Sequence, residues 1–439
     1  MVHDLDNTEN DSPQLDNISI SSLLYADDLV LLSTTKEGLQ NLLNTLESFT
    51  TKWFMNLNMS KTKTLTFSRK LDLNSYFTFG SKQIESCSNY TYLGTVFTWN
   101  GSFKLAMKTL RDKATKAMYG LISKIFKFKN CDFVTSSKLF DSLIKPILTY
   151  NSEVWGTALL PSNPQNNKCI DFSNLNDLIE GVHLKFLKHC IGTNEYTSNW
   201  AVLTETGKTP LKIFIFGHIV KYWWHLNTSE SPILQAAMKT NTVFAENNIK
   251  CWTSGVTKIL NWIGIECISE DNRVEINQDH VNQTKSKLYD KFLLEWDSHR
   301  TSILNNPDSK LKILAHITEG KFHTALHLDL KCNYKIKNSL SRFRLSTHCL
   351  PIETMRHLNI PRNLRVCPFC CTSLGDEQHF LLSCKNPDIS LSRENTIGQL
   401  KLCTTDSFEN MILILKETDP GILLAVAKHL KNIDAILKL

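Results

Sequence analysis

Two sets of residues in this 439-residue chain have the types and spacing to do chemistry. The first is Asp27–Asp28, adjacent carboxylates set in the otherwise apolar run LLYADDLVLL at 23–32. Carboxylate oxygens suit hard divalent cations, so a rigid strand–turn–strand carrying both could hold Mg2+ or Mn2+. Two such metals activate an attacking hydroxyl and stabilise the leaving oxygen in phosphoryl transfer. Aspartate is also common in turns, so a polar hairpin turn explains Tyr-Ala-Asp-Asp equally simply. The second set is Cys367-x2-Cys370-x8-His379-x4-Cys384, within RVCPFCCTSLGDEQHFLLSCKN. Three thiols and an imidazole suit tetrahedral Zn2+. The alternative is buried free cysteines beside an incidental histidine. Cys371 is a spare thiol that could replace Cys370. A redox role fits the Cys-x-x-Cys less well, because no βαβ pattern surrounds it.

The elements that must position these groups follow from periodicity. ISISSLLYADDLVLLS reads as two short strands hinged at Ala26–Asp27–Asp28. Thr34 followed by Glu37 makes a capping-box start for a helix. Its buried face is predicted to be Leu39, Leu42, Leu43, Leu46, Phe49 and Trp53. A turn in WFMNLNMSKTKTLTFS leads to a strand at 64–68, and further strands are predicted at 75–79, 83–86 and 90–97. Gly94, at the centre of the last, marks a close backbone approach. From 103 the pattern becomes helical: Phe103, Met107, Leu110, Ala114, Ala117, Leu121 and Ile125 form an apolar seam, with Lys104, Lys108 and Arg111 as a basic stripe beside it. KLFDSLIKPILTYNSEVWG (138–156) is a helix interrupted at Pro146. A loop at 161–167 and a helix at 179–192 ending on Gly192 come next. Residues 211–345 are mostly helical, and a tail helix at 408–435 breaks at Pro420–Gly421.

Composition narrows the class. A hydrophobic fraction of 42% excludes a wholly disordered or collagen-like chain. The net charge of +6 is mild but uneven. Residues 1–28 carry seven acids and no Lys or Arg, while 104–145 carry ten Lys/Arg against three acids. That basic block suits a phosphate backbone; a solvated helix face accounts for it as well. The start, MVHDLDNTEN, is no signal peptide. LKIFIFGHIVKYWWHL is too short and too charged to span a bilayer, so no membrane partner is expected. Most of the thirteen cysteines are scattered, as free thiols in a reducing intracellular compartment would be, in nucleus or cytoplasm.

Several motifs, in order, resemble the C-terminal portion of a non-LTR (LINE-like) retrotransposon reverse transcriptase. Tyr25-Ala-Asp27-Asp28 is similar to its catalytic hairpin. Asn58-Met-Ser-Lys61-Thr62-Lys63 resembles its Asn-x-x-Lys-Thr-Lys segment, and Tyr92-Leu93-Gly94 its primer-gripping loop. LIKPILTYNSEVWG resembles the thumb, IEGVHLKFLKHCIGTNEYTSNWAVLTETGKTPL the segment after it, and NIPRNLRVCPFC with GDEQHFLLSC the terminal CCHC knuckle. The resemblance implies an α+β chain. Its parts would be a partial palm of hairpin plus helix (1–100), a helical thumb (101–210), a helical connector (211–345), a zinc knuckle (346–390) and a helical tail (391–439).

It also implies RNA-directed DNA polymerase chemistry by two-metal nucleotidyl transfer, with Asp27 and Asp28 on Mg2+ (or Mn2+) and Lys63 as proton donor or phosphate contact. RNA template and DNA primer or target would be held by Lys61, Tyr92, Gly94, Lys104, Lys108, Arg111, Arg342 and Arg344. Lys61 and Lys63 read equally as surface lysines entering a strand. In these polymerases a third catalytic carboxylate sits on an earlier strand, whereas only 24 residues precede Tyr25 here. Asp4, Asp6 and Asp11 lie in a polar run unlike that strand. The expectation is therefore a truncated chain, inactive alone, without an upstream endonuclease and with a separate chain supplying the missing palm and fingers. The alternative is a non-catalytic RNA/DNA-binding module built on the basic thumb and the knuckle.

Overall fold

The computed structural model describes residues 5, 8, 11–127, 132–161, 172, 177–265, 278–398 and 407–438. Asp4 and Asp6, and most of the loop expected at 161–167, lie outside them. The architecture is mixed helix and small sheets, compatible with α+β. The chain divides into two compact units. The first comprises Met1–Leu110, Asn151–Ile170 and Ile215–Lys285; the second comprises Arg111–Tyr150, Asp171–Phe214 and Ser286–Leu439. No helix among the described residues is long and apolar enough to cross a membrane.

Among the described residues, all the strands lie in the first unit. β1 (Gln14–Leu15) pairs with β2 (Ile18–Ser19), and β3 (Ser22–Tyr25) with β4 (Asp28–Leu31), both antiparallel. The helix Lys36–Lys52 follows. Its N-cap is Thr35, one residue later than the expected Thr34: Thr35 Oγ1 accepts from Gly38 N at 3.1 Å, while the Thr34 hydroxyl donates to Asp11 O at 2.8 Å. Leu42, Leu43 and Leu46 are buried as their spacing predicts. Trp53 is not; it follows the last helical residue and is 61% exposed.

The strand expected at 64–68 shortens to β5 (Lys63–Thr64), which pairs in parallel with β7 (Lys82–Ser86). β6 (Phe77–Phe79) completes that sheet on the other side of β7. Leu43, Phe77 and Ile84 join helix to sheet in a small core, with Leu31, Leu39, Met59 and Phe79 packed around it. The single strand expected at 90–97 is a hairpin, β8 (Asn89–Tyr92) against β9 (Thr95–Thr98). Leu93 and Gly94 both have positive φ, 45° and 79°, which is what a two-residue type I′ turn requires. Gly94 therefore serves the turn.

The helix Lys104–Lys127 buries Met107, Leu110, Ala114 and Leu121, confirming the predicted seam. The helix expected at 138–156 is three short ones, Phe133–Leu143, Lys145–Leu148 and Ser152–Trp155. Pro146 opens the second, and Asn151, at φ 52°, precedes the third. The second unit carries the larger core. Leu340, Phe343, Cys367, Phe380, Cys384, Met411, Val426 and Leu430 are all buried in one apolar cluster. The tail is two helices, Ser407–Leu415 and Pro420–Ile436; Pro420 starts the second, and Asp419 caps it by accepting from Ile422 N at 2.9 Å.

Candidate metal sites and nucleic-acid contacts

The aspartate pair sits at the tip of the β3–β4 hairpin. Tyr25 pairs with Asp28, so Ala26 and Asp27 form the two-residue turn. Ala26 has φ 54°, a left-handed conformation costing a non-glycine residue roughly 1–2 kcal/mol. The ladder closes at the far end with Leu32 N donating to Ser21 O at 2.8 Å, where Leu31 reaches the core. At the tip no described residue covers the chain. Asp27 and Asp28 are exposed, as are Leu23 (39%), Leu24 (49%) and Tyr25 (64%). The apolar flanks therefore hold the hairpin at one end only. The two exposed carboxylates can take a hard cation at their oxygens. Among the described residues no third His, Cys, Asp or Glu joins them within reach of one ion.

The Asn58–Thr62 stretch is a turn: Asn58 O accepts from Lys61 N at 3.1 Å and Thr62 N at 3.0 Å, and its Oδ1 accepts from Ser60 Oγ at 2.7 Å. Lys61 is exposed, and its carbonyl accepts from Tyr90 Oη at 3.1 Å, which ties this turn to β8. Lys63 enters β5 and its ammonium lies 2.5 Å from Glu85 Oε2. Tyr92 and Gly94 belong to the β8–β9 turn. Lys104 and Lys108 are exposed on their helix, and Arg111 pairs with its neighbour Asp112 at 2.6 Å.

The two arginines before the cysteines go elsewhere. Arg342 Nε donates to Gly192 O at 2.6 Å. Arg344 is buried, its Nε 2.8 Å from Glu205 Oε1 and its Nη1 2.7 Å from Leu415 O. This corrects the expectation for Arg344: its charge lies inside the protein, out of a phosphate's reach. Glu205 Oε1 is also 3.4 Å from His327 Nε2, which in turn lies 2.8 Å from Ser341 Oγ. Burial pushes the Glu205 carboxyl up while Arg344 works against it, and burial with the charges of Arg344 and Lys337 holds the His327 imidazole well below its usual range. This buried hub had no signal in the sequence, because Glu205 and Arg344 are 139 positions apart.

The cysteine set does come together. A tight loop begins it: Cys367 N donates to Ser373 O at 2.8 Å, Cys371 N to Cys367 O at 2.8 Å and Gly375 N to Arg365 O at 2.8 Å. A Cβ on Gly375 would lie 2.7 Å from Pro351 Cβ, which explains the glycine. Asp376 then caps the helix Glu377–Leu382 by accepting from His379 N at 2.9 Å, and Cys384 N closes onto His379 O at 2.8 Å. One ligand atom each from Cys367, Cys370, His379 and Cys384 lies within 4.8 Å of the others. The sulfurs of Cys367 and Cys370 are 3.9 Å and 4.0 Å from that of Cys384. Tetrahedral Zn2+ with Zn–S bonds of about 2.3 Å sets sulfurs about 3.8 Å apart.

His379 Nε2 is buried with no hydrogen-bond partner, and Nδ1 lies 3.3 Å from Ser383 Oγ, so Nε2 is the nitrogen left for a metal. Cys371, at φ 57°, turns its exposed sulfur away toward Pro368 O, and the cluster forms with Cys370. A hydrogen bond from Lys385 N favours the Cys370 thiolate, whereas burial and the neighbouring sulfurs push Cys384 up to about 12. A dication is the natural answer to three sulfurs so confined.

Residues 3–97, which contain the hairpin, match the model of the family described as reverse transcriptase (RNA-dependent DNA polymerase). A Caenorhabditis elegans protein described as an uncharacterized transposon-derived protein is 30% identical over 145 residues, 31% of this chain and 49% of that protein. The match thus spans about half the length of that relative. The N-terminal part of the chain is thus similar to a reverse-transcriptase family, and a stretch of 145 residues to a transposon-derived protein.

Proposed function

We propose that this chain is the C-terminal portion of a non-LTR retrotransposon reverse transcriptase, with Asp27 and Asp28 as ligands of Mg2+ or Mn2+ in RNA-directed DNA synthesis. The observation that carries the reading is the exposed Tyr25–Asp28 hairpin tip inside the segment that matches the family. Two exposed carboxylates fit a hard cation, and the bound metals would supply activation of the primer hydroxyl and stabilisation of the leaving phosphate oxygen. Lys61, Tyr92, Gly94, Lys104, Lys108 and Arg111 contact template and primer, and Lys63 acts near the reacting phosphate once it leaves Glu85. The cysteine set holds zinc through Cys367, Cys370, His379 Nε2 and Cys384, which fixes the knuckle fold.

A two-metal site needs both cations held in fixed geometry. Among the described residues no third carboxylate accompanies Asp27 and Asp28, which supports a chain that is inactive alone and works with polypeptide that supplies one. The exposed Leu23, Leu24, Tyr25, Trp53, Phe54 (95%) and Met55 (56%) support that reading, as apolar side chains left for a covering chain. Non-catalytic binding of RNA or DNA is the second reading, favoured by the same lack of a third carboxylate. Primer extension by the purified chain on an RNA template, with Mg2+ or Mn2+, separates the two. Extension abolished by the double change Asp27→Ala/Asp28→Ala would make the chain a complete polymerase. No extension, with salt-sensitive RNA binding retained, is the expected result.

A further inference from the structure

We infer that Arg393 is a positioning residue of the cysteine–histidine metal site, holding the Cys384 turn in place and balancing the site's charge. The inference rests on the zinc reading above. Arg393 lies on the helix Pro387–Thr396, whose N-cap Asn386 stands two residues after Cys384. Its guanidinium reaches back over the turn: Nη1 donates to Leu382 O at 3.0 Å, and Nη2 donates to Cys384 O. Ser390 Oγ, from the same helix, donates to Cys384 O at 3.2 Å. The carbonyl of a ligand residue is thus pinned from behind by two side chains.

The front of the turn faces the sulfurs. Lys385 N donates to Cys370 Sγ at 3.5 Å. Holding the Cys384 carbonyl back therefore keeps the next N–H aimed at a thiolate. Charge points the same way. Three thiolates on a dication leave one net negative charge in a buried place, where an uncompensated charge is costly. The Arg393 guanidinium, held on the Cys384 carbonyl, places a cation beside that ligand. Its Nε is buried without a hydrogen-bond partner, so the guanidinium gives up one donor to sit where it does. A surface arginine that merely ended a helix would have water at that atom.

The test is competition for zinc between a chromophoric chelator and the full chain, as wild type, Arg393→Gln and Arg393→Lys, together with thermal melts of the metal-free and zinc-loaded forms. Changes to residues that hold a metal ligand in place typically weaken metal affinity by about 10–100-fold, and Arg393→Gln is expected in that range. Arg393→Lys, which keeps the charge and loses the fork, falls between it and wild type. The rise in Tm on loading zinc shrinks in Arg393→Gln. If Arg393 only ends the helix Glu377–Leu382, both forms of Arg393→Gln lose the same Tm and zinc affinity stays at the wild-type value, which overturns the inference. Should Arg393→Gln fail to fold, Arg393→Lys decides alone: wild-type affinity overturns, weakened affinity supports. A wild-type chain that takes up no zinc, and that Cys367→Ser leaves unchanged, overturns the zinc reading and this inference with it.

Discussion

Asp27 and Asp28 stand on a hairpin of two four-residue strands, with the tip in solvent and only the far end touching a core. Cys367 and Cys384 stand in the wall of a large apolar cluster, fully buried, on a loop braced from several helices. Both are plausible metal sites by donor chemistry, yet they answer to metal differently. Hydrated carboxylates keep water as their partner, so the hairpin loses little without a cation. Crowded thiols in a dry core have no such substitute, and the folding of their surroundings is tied to the ion. Burial, more than donor number, decides whether a site is a structural fixture or an accessory to bound substrate.

The largest expected effect lies on the buried side. Cys367→Ser should release zinc and unfold residues 350–390, since the ligand loop is continuous with the core. Elemental analysis and limited proteolysis read this directly; unchanged zinc content would refute the ligand assignment. Next is the internal ion pair. Arg344→Met leaves Glu205 buried without its cation, and such losses typically cost 3–5 kcal/mol, about what chemical denaturation should show. Replacing both residues by apolar ones of similar size should cost less than either single change. Equal or greater damage from the double change would mean that the pair itself, rather than the orphaned charge, matters.

Acid should sharpen the same contrast. His429 is fully buried, with Nδ1 3.0 Å from Ser392 Oγ, and burial together with Arg393 pushes its imidazole down to about 4. The unfolded chain takes up that proton near pH 6.5 and the folded chain does not. The stability held above pH 6.5 is therefore lost progressively as pH falls toward 4, by about 3 kcal/mol. His429→Gln should flatten that part of the stability–pH curve; an unchanged slope would place the titration elsewhere. The smallest effect belongs to the hairpin. Asp27→Ala should change stability by no more than about 0.5 kcal/mol, as surface substitutions usually do. RNA binding should hold or rise slightly as a negative charge is lost. A clear fall in binding would sever the link between this tip and the nucleic-acid surface.

Local patterns were legible where local forces decide. The two short apolar runs flanking Asp27–Asp28 and the spacing of Leu42, Leu43 and Leu46 gave the hairpin and its helix. Cys367, Cys370, His379 and Cys384 were legible because their donor chemistry constrains spacing within one loop. The β8–β9 turn was hidden because its first residue, Leu93, is of a type that rarely adopts positive φ. Trp53 fits the helical period but lies just past the helix end, so the period says nothing of its burial. Arg344 read as a nucleic-acid contact because what fixes it, Glu205, is supplied by another element, and nothing near Arg393 in sequence pointed to its hold on the Cys384 carbonyl.

The distance in sequence between Glu205 and Arg344 has a consequence for how the protein is made. At synthesis rates of about 5–20 residues per second, Glu205 emerges roughly 7–30 s before its partner, 139 residues downstream, has been added. Throughout that interval the carboxylate must remain in water. The helix Asn199–Thr206, buried on nearly every side in the finished protein, therefore cannot take up its final place. Slow elongation would lengthen this exposed interval, and a message broken within it would yield a polypeptide marked for disposal.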